Sequence, residues 1–385
     1  MQVLDPVDPT RSPAARPVGA SVNRAEARFR YTDPDWFWPE GGAAAASRHV
    51  QPAPAADVTV SVSERDARAV IAEAYPDLDA RAFEVLPEHL GRVLPETDVF
   101  SAFNLAAFST GAVVVIPPGA EVLDPIRVKT RIAQADRGVA ATRNLFLVGR
   151  GARARIIESL EVDAAFANAF TEIVVQDGAS MELQRLEHAG AGASLFSATG
   201  SVLGRDANLL DVRLLDGPGR LKSEVSATLA GRGASAEHRA LMDNPDASHK
   251  DLRIVEDHAA AGTVSRVTAR AVVFGRAHAI VTGLMNIREH ATGSDAYEEA
   301  RGLLMSPAAR ADLLPELEIL HHDVRASHGA AVGPLDEEAR FYLMSRGIPP
   351  LEAERMLVTG FAEPVVRALW SEFADRLSWV MRDEA

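Results

Sequence analysis

The chain has 385 residues and no cysteine. That absence removes disulfides, thiolate zinc sites and thiol nucleophiles together, so any metal chemistry of the chain itself rests on His, Asp and Glu. Aromatic residues make up only 6%, and no apolar run reaches the roughly 18 residues that a membrane span needs. The opening stretch, "MQVLDPVDPTRSPAARPVGA", has neither a basic flank nor an apolar h-region. No secretory signal is therefore expected, and the cytoplasm is the expected location. Runs of five or more Lys/Arg are missing, and a net charge of −14 repels phosphate backbones, so nucleic acid is not an expected partner. There is no G-x-S-x-G elbow and no H-E-x-x-H. "GRGARAR" and "GPGRLK" lack both the P-loop frame and a following helix, so nothing supports nucleotide binding.

What remains is an ordinary globular composition, 47% apolar and 24% charged, able to bury a core. Eight of the 22 prolines and the run "GGAAAAS" fall within residues 1–60, which read as a largely irregular N-terminal segment. Within it "RFRYTDPDWFWPE" carries five aromatics and is expected to dock on the rest of the protein. Residues 61–109 read as a helical region, with Ser63 as a cap, Asp66 in the first turn, and Val70, Ile71 and Ala74 on one face.

From residue 110 the period changes to alternating apolar and polar positions broken at glycine, as in half-buried strands. Turn glycines Gly151, Gly178, Gly204 and Gly231 recur every 26 or 27 residues. Gly275 follows only after 44, which predicts an irregular insertion around "DNPDASHKD". Strand–turn–strand units at near-constant spacing, without crossover helices, mark a solenoid. A parallel β-helix over 110–330 is the favoured reading, with a hairpin-built sandwich as the alternative. Residues 331–385 are helical: Asp336 is an N-cap, Gly347 takes a C′ position, and Pro364 is expected to open a further helix. These helices are expected either to cover an end of the solenoid or to form a docking module. Trp370, Phe373, Leu377 and Trp379 exceed what a simple cap requires.

Three histidines and an aspartate crowd the stretch "HHDVRASH". In a strand His321 and Asp323 share one face and His322 takes the other, so the cluster reads either as polar residues leaving a sheet or as a partial metal or catalytic site. His249, Asp251 and His258 fall near the expected insertion, where a loop could bind or simply be solvated. His278 and His290 read as structural.

The words "SHGAAVGPLDEEARFYLMSRGI" at 327–348, "AERMLVTGFAEPVV" after them, "DVFSAFNLAAFSTGAVVVIPPGAEVLDPI" at 98–126, "GSDAYEEARGLLMSPAARADLLPELEIL" at 293–320 and "FRYTD" at 29–33 resemble the SufB/SufD family of iron–sulfur cluster assembly proteins, the SufD branch most closely. The resemblance implies a right-handed parallel β-helix flanked by N- and C-terminal helical segments. It implies a non-catalytic scaffold subunit of the SufBCD complex, a dimer that pairs with a SufB-like subunit, or with itself when alone. Such a subunit docks a SufC-type ATPase through its C-terminal helices (here Phe341, Ile348, Met356, Phe361, Val365 and Leu369), and ATP hydrolysis belongs to that partner. It also implies that His328, in "SHGA", faces a nascent, transient Fe–S cluster at the subunit interface, with no cofactor held stably by this chain alone. Where the family often carries cysteine, two residues before that histidine, this chain has Ala326. The sulfurs must then come from the partner, because clusters prefer several soft ligands. Two other functions fit less well: a SufB-like self-pairing scaffold using His/Glu ligands, and a β-helix carbohydrate-active enzyme.

Overall fold

The computed structural model describes residues 29–38, 56–63, 71–74, 88–95, 97–108, 110–122, 124–133, 139–163, 166–377 and 379. Two nine-stranded sheets face each other. Sheet A contains β1 (Ala56–Ser61), β4 (Ile126–Ile132), β6 (Arg153–Val162), β8 (Ser180–Ala189), β10 (Asn208–Asp216), β12 (Ser235–Asn244), β14 (Val264–Val273), β16 (Asp295–Leu304) and β18 (Arg325–Pro334), in that spatial order. Sheet B contains β2 (Ile71–Ala74), β3 (Ala112–Ile116), β5 (Val139–Val148), β7 (Phe166–Val175), β9 (Ser194–Leu203), β11 (Arg220–Leu229), β13 (His249–His258), β15 (His278–Ile287) and β17 (Arg310–Ile319). From β3 onward the chain alternates between the sheets, and these strands pair with one another in parallel. This is a parallel β-helix; the sandwich alternative is excluded.

Each coil buries one inward row per strand. Ile156, Leu183, Leu209, Val267 and Ala296 represent sheet A, and Phe146, Ile173, Leu195, Leu252 and Val281 represent sheet B. A fully buried Val, Leu, Ile or Phe contributes about 1.5–3 kcal/mol, and no coil can bury this row without the next one stacked on it.

The turns correct part of the sequence reading. Gly151, Gly178 and Gly275 do sit at positive φ, but the equivalent position in the next two coils belongs to Asp206 (φ 54°) and Gly233. Gly204 and Gly231 instead allow close stacking: a Cβ on Gly231 would lie 2.0 Å from the Arg205 amide nitrogen. Gly275 lies on the opposite corner of the solenoid, between β14 and β15. The 44-residue gap therefore mixes two turn series, and there is no insertion. His249, Asp251 and His258 lie within the regular strand β13.

The expected helix over Val70, Ile71 and Ala74 is also corrected. Ile71–Ala74 is a strand, antiparallel to β3, while Asp66 and Val70 lie outside the described residues. Helix α1 (Val99–Ala107) is capped by Asp98, which accepts from the amides of Phe100 and Ser101. It packs on the outer face of sheet B. There the aromatic segment docks as expected: Phe29, Phe37 and Trp38 are buried with Phe100, Phe103, Phe170 and Phe196. The Phe100 and Phe196 rings stack with centroids 4.0 Å apart. Beneath this layer Arg143 donates to Glu172 (2.7 Å), to Asn104 (2.9 Å) and to the Leu94 carbonyl (2.6 Å). Glu172 in turn accepts from the amides of Gly91, Val93 and Leu94.

At the other terminus, α2 (Glu337–Ser345) starts at the Asp336 cap and stops at Gly347 (φ 89°), both as expected. Helix α3 (Pro350–Val366) runs through Pro364 rather than restarting there. The backbone N–H that proline lacks would have bonded to Gly360, close enough to the helix end that only the last turn is affected. A short α4 (Ser371–Ala374) follows. These helices do not cover an end of the solenoid. They lie along the outer flank of sheet A, where Val358, Ala362, Val365, Leu369, Phe373, Leu377 and Trp379 bury against Leu186, Val212, Leu214, Leu241 and Val272. The aromatic excess in this segment is thereby explained.

Candidate functional site

Because the C-terminal helices turn back along the flank, the last coil stays open. β17 and β18 are the outermost strands of their sheets, and their side chains are mostly exposed or half-buried, unlike those of the preceding coils. Around this rim Tyr297, Ile319, Leu320 and Val332 are exposed, while Leu313, Leu317 and Ala326 only partly cover the core behind them. An unpaired parallel edge with an apolar cross-section invites another chain.

His328 sits on β18, exposed at this mouth. Its parity is that of Ala326, which packs on the core, so it lies on the interior-facing row. The sequence cluster does not converge. His321 and His322 lie in the turn before β18 with their rings stacked 5.0 Å apart, and the His321 Nδ1 accepts from the Asp323 amide (3.0 Å). Parallel rings cannot share an ion. Among the described residues no three His, Asp or Glu side chains form a metal cage.

The other histidines have separate duties. His249 lies under the docked N-terminal segment: Thr32 Oγ1 donates to Asp251 (2.5 Å) and is 2.9 Å from His249 Nε2. Trp36 meets the same ring edge-on. Burial, with help from the His278 charge, pushes the His249 imidazole down to about 4, so it is neutral at pH 7. His278 pairs with Asp312 at 2.6 Å. His258 is held between the hydroxyls of Thr263 and Ser265, and burial pushes it down to about 4. His290 is exposed.

Sequence reasoning missed a buried polar column inside the solenoid. Glu158 pairs with Arg185 (2.6 Å), which also donates to Glu187 (2.7 Å); Arg213 lies 3.8 Å from Glu187 and pairs closely with Asp211. His238 bridges Asp211 (3.1 Å) and Glu256 (2.8 Å). On sheet A the register runs Asp211, His238, Val267, Glu298, His328, one residue per coil. Neighbouring members are about 4.8 Å apart along the axis, so the column ends at the mouth with His328 directly above Glu298. Burial alone would lower the His238 pKa, but the flanking Glu256 and Asp211 charges override it and hold the imidazolium up to about 10. Burial alone would raise Asp211, yet Arg213 and His238 keep it well below the usual carboxylate range. Glu298 has no such partner, and burial together with the charges of Glu256 and Glu316 pushes it up to about 7.

The signal for this column was present in "MELQRLEHA" and "SAEHRALMDN". Arg185, Glu187 and His238 share the parity of Met181, Leu183, Ala236 and Ala240, so alternation alone places them inside.

The C-terminal residues divide. Phe341 (72% exposed), Tyr342, Met344, Leu351 and Met356 form an outward apolar face on α2 and α3. Val365 and Leu369 are buried in the chain's own core, while Ile348 and Phe361 are half-buried, with Arg270 over the Phe361 ring. Arg340 ties α2 to α3 through Glu354 (2.8 Å). Val365 and Leu369 are therefore packing residues in this fold.

Comparison with known proteins places this chain among iron–sulfur cluster assembly proteins. Residues 130–361 match the family model described as "SUF system FeS cluster assembly, SufBD core domain". The match spans more than half of the chain, which belongs to this family of iron–sulfur cluster assembly proteins. The chain is 28% identical over 335 residues to an iron–sulfur cluster assembly SufBD family protein of Mycobacterium tuberculosis, covering 85% of this chain and 81% of the relative. It is 26% identical to SufB of Bacillus subtilis (78% and 66% covered) and 30% identical to SufD of Escherichia coli (63% and 58% covered). Relatives of both names thus match at similar identity. Among the described residues no helix is long and apolar enough to cross a membrane.

Proposed function

We propose that this chain is a SufD-type scaffold subunit, non-catalytic itself, that closes its open end onto a cysteine-bearing SufB-type subunit in the cytoplasm. The open mouth carries the reading: a mostly exposed edge coil with an imidazole at its interior row and no thiol anywhere in the chain. His328 would supply one nitrogen ligand to a transient cluster whose sulfurs the partner brings, since an iron–sulfur core needs thiolate or sulfide as well as imidazole. The apolar face of α2 and α3, centred on Phe341, Leu351 and Met356 and flanked by Ile348, suits a SufC-type ATPase; Val365, Leu369 and Phe361 support it from behind. An exposed edge that can pair with a sister subunit can also pair with a second copy, so a homodimer is expected in the partner's absence.

The test is His328→Ala in the reconstituted three-component complex. Complex mass should be unchanged while cluster formation, followed by visible absorbance, falls about 10-fold or more. Full cluster formation would reduce His328 to a surface residue.

A further inference from the structure

We propose that Glu298 and Glu256 form an interior binding site for a divalent first-row cation such as Mn(II) or Fe(II), entered through the open mouth beneath His328. The site goes beyond the scaffold reading and stands without it, because it needs neither a partner nor a sulfur.

Charge is the first observation. In the column up to Asp211, Arg185, Arg213 and His238 balance Glu158, Glu187 and Asp211. Glu256 and Glu298 are then two carboxylates in excess, both 0% exposed. Another interior cation, Lys250, is occupied at a corner, where it donates to the Gly217 carbonyl with Asp243 and Asp216 as its neighbouring charges. Two buried carboxylates in excess of the interior cations require two protons or one divalent cation.

Hydrogen bonding is the second. Both Glu298 oxygens lack any hydrogen-bond partner among the described residues, and so does Glu256 Oε2. Glu256 Oε1 faces His238 Nε2 at 2.8 Å. A buried acceptor left open costs about 1–3 kcal/mol, more when charged, and calls for an explanation such as an ion.

Space is the third. The Glu298 carboxylate reaches across the solenoid to Gly283 on β15, where a Cβ would lie 1.9 Å from Oε1. Glycine there clears the volume the carboxylate occupies. Two carboxylates, with water completing the shell, suit Mn(II) or Fe(II). On binding, any protons held by the two carboxyls leave through the mouth, and two carboxylate charges neutralise the ion.

The experiment is an anaerobic titration of the full-length chain alone with Mn(II), counting free ion by electron paramagnetic resonance. Calorimetry in two buffers of different ionisation enthalpy gives the protons released. The site predicts a single saturable Mn(II) per chain, proton release near neutral pH, and affinity about 30-fold or more weaker in Glu298→Gln. Glu256→Gln should weaken binding as well, which decides the matter if the first variant fails a circular-dichroism check of folding. Absence of saturable binding, or binding unchanged in the folded variants, would mean that protons alone neutralise the pair and would overturn the site. A defect of His328→Ala confined to cluster formation, with Mn(II) binding intact, would separate the two proposals.

Discussion

The first coil of the solenoid is flanked by two reversed strands and the last is not. At the start, β1 and β2 run antiparallel to β4 and β3, ending the parallel ladders on short reversed strands that blunt the edges. Above them Arg143 and Glu172, both 0% exposed, fasten residues 91–94 and α1 to sheet B. At the far end, among the described residues, β17 and β18 carry no such cover, and exposed Ile319, Leu320 and Val332 rim the mouth. The same architecture thus ends in reversed strands at one end and in open parallel strands at the other. The C-terminal helices could have closed the second end, but their apolar residues are committed to the flank of sheet A.

The covered outer flank of sheet B beside the first coils is where one substitution costs most. Glu172→Ala strands the buried Arg143 guanidinium and removes the acceptor of three half-buried backbone amides. Breaking a buried pair in this way costs about 3–5 kcal/mol, seen as a lower urea midpoint. A loss below about 1 kcal/mol would mean that water reaches the pair.

The column between the ends gives a smaller, pH-dependent effect. His238 is held up to about 10 in the folded chain against an ordinary value of 6.5. A raised folded pKa contributes stability that is fully present below the unfolded value and is lost as pH rises through the folded one. Unfolding free energy should therefore decline as pH rises from 6.5 toward 10, by about 2 kcal/mol between pH 6.5 and 8 alone, relative to His238→Gln measured over the same range. Parallel curves for the two proteins would show that the imidazole is neutral and the column is not a charge ladder.

Much of the fold was legible because a solenoid repeats locally. Alternating Val, Leu and Ile with recurring turn glycines give the coil length directly, and the caps at Asp336 and Gly347 follow from local chemistry. Where reading failed, tertiary placement decided. Ile71–Ala74 has a helix-like spacing, yet pairing with β3 makes it a strand. Gly275 belongs to the other corner, which a one-dimensional spacing does not reveal. Whether the C-terminal helices lie on an end or a flank depends on the apolar outer row Leu186, Val212, Leu214, Leu241 and Val272, which alternation mixes with the inner row. For the candidate site, His328 was visible in its motif and Ala326 flagged the missing thiol. Glu298 was not visible, because its position under His328 follows only from the register of β16 with β18.

The open end makes the smallest demand on stability. Replacing Ile319 and Val332 together by Asp should change the unfolding free energy by only about 0.5 kcal/mol, since both are already 43% and 44% exposed. The decisive measurement is the solution mass of that double variant by sedimentation, alone and mixed with a cysteine-bearing SufB-type subunit. The account predicts a folded monomer that no longer pairs, beside a wild-type chain that does. Undiminished pairing by the folded variant would contradict it and place the contact surface elsewhere on the solenoid.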